Sequence, residues 1–379
     1  MVKTMDIGLV GLGYIGKIHA NAYRNIPVCF SNAPVTANLK GVLRSQLDTE
    51  QVLMDSLGFT LRTINPEEFF KNDFDMVDIC TPNILHLEEV EMAAAAGLNI
   101  YLEKPMAMDL NEARQMTELA QKHGIKTHMA LVFRYVPAVR QMKALIEAGA
   151  IGEVYNFNAR FFHGSYVDPN RPMTWRLRWA ESGGGVFADL GSHMIDLIRY
   201  LLGEVVAVKA DMRTFISRRP KSRGSSEMET VDVDDWLMCL MEMENGAPGL
   251  LEVSRMAAGV EDTTRVEVFG TKGALRFSFN QQELVDIFDI RTNRWYHGSL
   301  DVPPVEGERP IETLWPNGKY SQGMMTNAHM ASGYDFLLNI AENKESKLDF
   351  AAGMAVQEVM EAGYQSARSG GGMVRLPLA

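Results

Sequence analysis

The chain has 379 residues, 46% hydrophobic and 22% charged, with a formal charge of −11. This is ordinary globular composition for roughly two to three domains, and it excludes collagen-like, disordered and coiled-coil classes. No apolar run reaches the ~18–20 residues that span a bilayer, and an acidic chain is a poor partner for nucleic acid or an anionic membrane, because phosphate binding needs clustered Lys and Arg. Cys29, Cys80 and Cys239 are too few and too scattered for a disulfide framework and point to a reducing compartment. The opening Met1-Val2-Lys3-Thr4-Met5-Asp6 does not read as a signal peptide, so a cytoplasmic protein is expected. The 24 methionines read as flexible core filler.

The first part of the chain alternates short apolar runs with helical patterns. Residues 5–10 read as a buried strand and 15–26 as a helix. Further strands are expected at Leu39–Leu43, Met76–Cys80 and Leu98–Leu102, with helices at Glu88–Ala96 and Leu110–Lys122. Thr127–Val132 fits a last strand of this layer. Such alternation implies right-handed βαβ units and a parallel sheet covered on both faces.

The pattern changes near residue 150. A helix at Ala138–Ala148 ends at Gly149, and Val154–Phe162 alternates like a strand. Gly183-Gly184-Gly185 opens a long apolar helix to about Leu202, closed by Gly203. Strand-like runs follow at 205–216, 233–243, 249–256, 263–269, 273–279 and 284–290. Asn245-Gly246 is a hairpin signal, and Gly270 and Gly273 bracket another turn. Consecutive strands with short turns predict an antiparallel meander with one face open to a partner subunit. Ser217–Met228 reads as a solvated basic loop, and 300–327, rich in Pro and Gly, as a surface segment over a cleft or toward another subunit. A helix over Ala352–Ser369 and a short strand at Met373–Leu376 end the chain.

Gly11-Leu12-Gly13-Tyr14-Ile15-Gly16 matches GxGxxG, a weak string whose placement gives it weight. It follows the first strand and opens the first helix. There Gly11 permits the tight turn, Gly13 lets backbone approach a pyrophosphate, and Gly16 allows close helix–strand packing. The helix N-terminus adds free N–H groups. The bland alternative is a plain tight turn. After the second strand, where an acid would hold the ribose of NAD, stand Arg44 and Ser45, suited to a 2′-phosphate. NADP is therefore favoured over NAD, unless Arg44 stacks on adenine or Asp48 serves as the acid.

Glu103-Lys104-Pro105 follows the Leu98–Leu102 strand, at the end of the sheet where ligands of open α/β folds sit. Lys104 is a candidate acid or hydroxyl-binding group facing a nicotinamide. On the glycine-triplet helix, Asp189, His193 and Asp196 share one face. His193 suits a base that takes a hydroxyl proton, with Asp189 orienting it or binding substrate. The same face could instead be capped and paired internally. A carboxylate–histidine metal site is disfavoured, and no metal is expected, since no further His or Cys cluster lies at ligand spacing.

These residues resemble the glucose–fructose oxidoreductase / inositol dehydrogenase (Gfo/Idh/MocA) family over nearly the whole chain. The resemblance rests on Gly11–Gly16, on Thr81-Pro82-Asn83 with His86, on Glu103-Lys104-Pro105, and on Gly183–Gly185 followed by Asp189, His193 and Asp196. It implies an α/β architecture: an N-terminal Rossmann domain (1–130) with a parallel sheet, and a C-terminal α+β domain (131–379) with a large, open, mostly antiparallel sheet. Helix 352–369 is expected to pack back on the first domain. It further implies Lys104, Asp189 and His193 as catalytic trio. Thr81, Pro82, Asn83 and His86 would line the nicotinamide side, with Glu103 beside the cofactor and Trp175-Arg176 touching cofactor or substrate. Many relatives have Gly-Phe-Asn-Tyr-Arg where this chain reads Ala130-Leu131-Val132-Phe133-Arg134. Val132 cannot make the hydrogen bonds of that Asn, while Arg134 keeps a charge for the substrate.

The function implied is hydride transfer between NAD(P) and a sugar, inositol or related polyol, in a homodimer or homotetramer. The alternatives are a non-catalytic nucleotide- and ligand-binding regulator of the same fold, or a reductase of a non-sugar carbonyl or diol. His163, Tyr166, Asp168, Arg171 and His329 are further candidates for pocket polar groups.

Overall fold

The computed structural model describes residues 2–281, 283–298 and 302–378. From the amino terminus run β1 (Lys3–Val10), α1 (Tyr14–Cys29), β2 (Val35–Leu43), α2 (Gln51–Leu57), β3 (Leu61–Thr63) and α3 (Pro66–Phe70). Then come β4 (Met76–Ile79), α4 (His86–Ala95), β5 (Asn99–Leu102), α5 (Leu110–His123), β6 (Thr127–Met129), α6 (Pro137–Glu147) and β7 (Val154–Phe162). Next are α7 (Trp179–Ser182), α8 (Ser192–Leu202), β8 (Val205–Arg213), β9 (Arg218–Pro220), β10 (Met228–Thr230), β11 (Trp236–Met243) and β12 (Pro248–Ser254). The rest are β13 (Thr263–Gly270), β14 (Gly273–Ser278), β15 (Val285–Asp289), β16 (Arg294–Gly298), α9 (Met324–Glu342), α10 (Phe350–Arg368) and β17 (Val374–Arg375). The chain forms two compact units. One holds the residues up to Tyr135 together with Arg309–Met354. The other holds Val136–Glu308 and the residues from Ala355 on. The segment that returns to the first unit is thus Arg309–Met354. Past its first turn, the terminal helix expected there belongs to the second unit.

The sheet of the first unit has the order β3-β2-β1-β4-β5-β6, all pairs parallel. This is the doubly wound dinucleotide-binding order. Ile7, Leu9, Val77, Ile79, Ile100 and Leu102 are buried, because helices on both faces leave no wet side, so these strands read as continuous apolar runs. α5 starts where its sequence says it should: Asp109 accepts from Glu112 N at 2.9 Å and Glu112 accepts from Met108 N at 3.0 Å, a reciprocal cap. It ends at Gly124, φ +61. The last strand stops at Met129, and Val132–Tyr135 forms a 3-10 turn instead. The helices α2, α3 and α9 and the strand β3 have no counterpart in the sequence reading. α9 packs on α1, where a Cβ at Gly333 would stand 2.9 Å from the Tyr23 ring. Its buried Asn327, His329, Ser332 and Asn339 break the apolar stripe that announces a helix.

The second unit carries a nine-stranded sheet, β16-β15-β14-β13-β7-β12-β11-β8-β17. It is not a pure meander. β7 inserts between β13 and β12 and runs parallel to β12, because it enters the sheet from a distant part of the chain. Asn245-Gly246 makes the predicted β11–β12 turn, with Gly246 at φ +83. The basic stretch 217–228 is not simply a solvated loop. β9 and β10 pair antiparallel there, and Arg219 is fully buried. Residues 300 and 301 of the expected 300–327 segment lie outside the described residues. The remainder contains a 3-10 turn at Ile311–Thr313 before α9 begins at Met324.

Candidate active site

Gly11 sits at φ +88, a conformation L side chains rarely adopt, with Cys80 O 3.1 Å from where its Cβ would be. A Cβ on Gly16 would fall 2.2 Å from the Gly11 carbonyl oxygen, so α1 can approach β1 this closely only through glycine. Gly13 caps α1 without a side-chain hydrogen bond, and a Cβ there would meet nothing within 4 Å. Gly13 and Tyr14 are exposed, so the positive end of the α1 dipole, with its free first-turn N–H groups, begins at the surface. That arrangement fits a dinucleotide pyrophosphate. Arg44 does not offer the free clamp expected of it. Its Nη1 donates to Thr49 O at 2.6 Å and its Nη2 to Thr49 Oγ1 at 3.1 Å. Ser45 and Asp48 are exposed nearby.

Thr81, Pro82 and Asn83 follow β4, the sheet neighbour of β1. Thr81 donates to Glu89, whose carboxyl burial pushes up to about 8. His86, expected with them on the nicotinamide side, opens α4. It is fully buried, with ring nitrogens 3.1 Å from the carbonyl oxygens of Thr81 and Met106, and it ties the turn after β4 to the turn after β5. Burial lowers its pKa against those carbonyls. Glu103 and Lys104 follow β5, so the glycine turn, Thr81–Asn83 and Lys104 crown the carboxyl ends of three adjacent strands, β1, β4 and β5. Half-buried Arg134 lies in the turn after β6, with Val132 buried beside it.

Two residues of this region escaped the sequence reading. His19, on α1, and Asp78, in β4, are buried and hydrogen-bonded to each other, and His19 also reaches Glu103. Asp78 was detectable as an acid inside a strand otherwise apolar on both faces. His329 is a buried member of the same cluster, its Nδ1 3.9 Å from Glu103 Oε1.

In the second unit the glycine triplet opens the expected helix: the backbone is helical from Val186, through a π-turn, to Leu202, and Gly203 closes it. Gly183, at φ +68, ends α7. A Cβ on Gly184 would lie 2.5 Å from Tyr364 Oη, and one on Gly185 2.2 Å from Asp234 O. Asp234 then anchors the next turn. Its carboxylate accepts from Gly185 N, Phe187 N and Tyr364 Oη, each at 2.9 Å. Burial pushes its pKa up despite Arg255 and these donors. Phe187–Gly191 is a π-helical turn carrying half-buried Asp189, and α8 carries buried His193 and Asp196. π-turns recur at functional positions. Asp234 was missed, although the acidic pair Asp234-Asp235 after Val233 marked a buried carboxylate. Trp175 and Arg176 share a 3-10 turn, the guanidinium 4.3 Å from the indole.

His163, Tyr166, Asp168 and Arg171 do come together. The Arg171, Arg255 and Arg219 guanidiniums lie 4.0, 4.8 and 5.8 Å from the Tyr166 ring. Arg219 donates to the carbonyls of Asp168 and Tyr166. Burial lowers the pKa of His163, with Asp189 opposing and Arg255 and Arg171 reinforcing the shift, so His163 stands in the field of Asp189.

Residues 5–131 match the family model described as "Oxidoreductase family, NAD-binding Rossmann fold", and residues 139–276 match the GFO/IDH/MocA C-terminal domain. Levoglucosan dehydrogenase of Pseudarthrobacter phenanthrenivorans is 32% identical over 97% of both chains. scyllo-Inositol 2-dehydrogenase (NAD(+)) of Bacillus subtilis is 29% identical, covering 96% of this chain and 99% of its own. The structure of levoglucosan dehydrogenase in complex with NADH and L-sorbose superposes with TM-score 0.90 at 31% identity, over all of both chains. With its glycine turn, its Glu-Lys-Pro turn and both domain types matched, the chain belongs to the Gfo/Idh/MocA oxidoreductase family.

Proposed function

We propose that this protein is an NAD-dependent dehydrogenase of a sugar, inositol or related polyol. The observation that carries the reading is Lys104 directly after β5, on the same edge of the parallel sheet as the open glycine turn. Relatives named for levoglucosan and inositol oxidation support the substrate class. Gly11, Gly13, Tyr14, Ile15 and Gly16 hold the pyrophosphate by backbone N–H groups, and Thr81, Pro82 and Asn83 bound the nicotinamide end. When bound, the nicotinamide supplies the two-electron acceptor at its C4. In the second unit His193 is the base for a substrate hydroxyl proton and Asp189 orients it or binds substrate; in the first, Lys104 is the acid or hydroxyl-binding group. Arg134 serves a substrate hydroxyl, and Trp175 and Arg176 serve cofactor or substrate.

NAD rather than NADP is favoured because both terminal nitrogens of Arg44 already serve Thr49. The sheet of the second unit, with Leu240 and Trp295 exposed, is read as the face of a homodimer or homotetramer. The three free cysteines, all buried, suit a cytoplasmic location. The test is a fluorescence titration with NADH and NADPH in parallel, then a panel of sugars and inositols with NAD⁺. Tighter NADH binding and NAD⁺ reduction by a polyol are expected. Binding of neither cofactor would overturn the assignment, and tighter NADPH binding would overturn the cofactor choice.

A further inference from the structure

Asp78 and Glu103 are buried carboxylates, 0% and 6% exposed, and His19 stands between them at 2%. His19 Nδ1 lies 3.0 and 2.9 Å from the two Asp78 oxygens, and Nε2 lies 3.0 Å from Glu103 Oε1. A neutral imidazole has one N–H. Carboxylates on both ring nitrogens need two, so the geometry is that of an imidazolium. Burial alone would lower the pKa of His19, yet the charge and hydrogen bond of Asp78 and the Cys80 sulfur raise it well above 6.5.

Titratable groups from several elements pack round His19. Cys80, following β4, lies 3.2 Å from Nδ1 and donates to Asp78 at 3.3 Å. Tyr101 of β5 meets the imidazole edge-on at 5.5 Å, and the His329 ring of α9 lies 4.5 Å away. Tyr23, also on α1, feels Asp78. Burial would raise Glu103, but His19, His329 and Lys104 together hold it at about 2. Glu103 thus stays ionised and divides its oxygens. Oε1 faces His19 and Oε2 accepts the backbone N–H of Lys104 at 3.1 Å. The same cluster contains three-residue sets of metal-ligand type. However, tetrahedral zinc with bonds near 2.0–2.1 Å holds its ligand atoms about 3.3 Å apart, and the His19–carboxylate contacts are closer, at hydrogen-bond length.

We infer that Asp78, His19 and Glu103 form a buried relay in which doubly protonated His19 fixes the Glu103 carboxylate and, through its contact with the Lys104 backbone, sets where the Lys104 ammonium is presented. His19 and Asp78 are then positioning residues. This rests on the reading of Lys104 as the acting group. Without His19, Glu103 is a buried carboxylate that has lost its cation, and it takes up a proton.

The test is the set H19Q, E103Q and the double variant in the full chain with NAD⁺ and a polyol substrate. H19Q should lose roughly 10- to 100-fold in kcat, as a misplaced acting group does, with the Kd for NADH within about 3-fold of wild type. Its activity should rise with pH between about 5 and 8 as Glu103 ionises. That limb should vanish in H19Q/E103Q, whose kcat should be no lower than that of H19Q, since the two residues act as one unit. Wild-type kcat and pH profile in H19Q, or fully additive losses, would overturn the relay. If H19Q does not fold, nitrogen NMR of wild-type histidine side chains decides. Both His19 ring nitrogens should stay protonated from pH 6 to 9, at least about 2 units beyond an ordinary histidine. A His19 that deprotonates near 6.5, or zinc retained stoichiometrically, overturns the proposal. If no polyol is oxidised by wild type, the reading of Lys104 falls, and the NMR result alone judges the charge state of His19.

Discussion

Glu89 shows how one residue can place a pH signature in the cofactor domain. Its carboxyl keeps a proton up to about 8 because it is buried beside Thr81. The unfolded chain releases that proton near the ordinary 4.5, so the folded form binds more protons between these values and loses stability as pH rises through the interval. Unfolding of E89Q and wild type should therefore diverge with pH, the variant gaining on wild type from pH 5 to 9. A constant difference would mean that Glu89 is ionised throughout. For Lys104 and His193, replacement by Ala should lower kcat by about 10²- to 10⁴-fold while NADH binding changes little. Retained turnover in either would remove it from the mechanism. Lys104, Asp189 and His193 were legible in the sequence because their motifs have local order. Asp78 and Asp234 show in the sequence only as acids in apolar surroundings and His19 not at all, because their partners lie tens of residues away.

Two turns carry most of the site, and each depends on a glycine that nothing else can replace. In Gly16→Ala the new methyl meets the Gly11 carbonyl oxygen at 2.2 Å, so α1 must shift from β1. NADH affinity should fall by at least about 10-fold, as expected when the pyrophosphate loses a well-placed helix N-terminus. Unchanged affinity by fluorescence titration would show that the turn does not bind the cofactor. At Gly183–Gly185 the sequence pattern predicts the start of one helix. The structure starts it there, at Val186, and Gly184 and Gly185 are required because Tyr364 and Asp234 come too close for a side chain. Asp234→Asn replaces one acceptor oxygen by a donor against Gly185, Phe187 and Tyr364. About 1–3 kcal/mol of stability should be lost for the donor left unpaired, read as a lower thermal midpoint. An unchanged midpoint would mean that the anchor carries no load.

Across the whole chain, the units are threaded rather than consecutive, with crossings after Tyr135, Glu308 and Met354. Residues 1–135 alone lack α9 and leave bare the α1 surface where Gly333 meets Tyr23. That fragment should neither fold cooperatively nor bind NADH, whereas the same residues joined to 309–354 through a flexible linker should do both. Circular dichroism melting and NADH fluorescence check this. A fragment 1–135 that melts cooperatively would show that α9 is dispensable.

Local signals were enough for the parallel sheet, the phosphate turn, the Glu-Lys-Pro turn and the alternation of the second sheet. Apolar periodicity, capping residues such as Asp109 and glycine spacing act within a few residues of one another. Long-range packing decided the rest. It set the parallel insertion of β7 between β12 and β13, the return of Arg309–Met354 to the first unit, and the burial of Arg219 in a stretch that reads as solvated. It also brought His19, Asp78 and Glu103 into contact across 59 and 84 residues of chain. A charge on one element becomes chemically distinctive only when another element removes its water and supplies its partner.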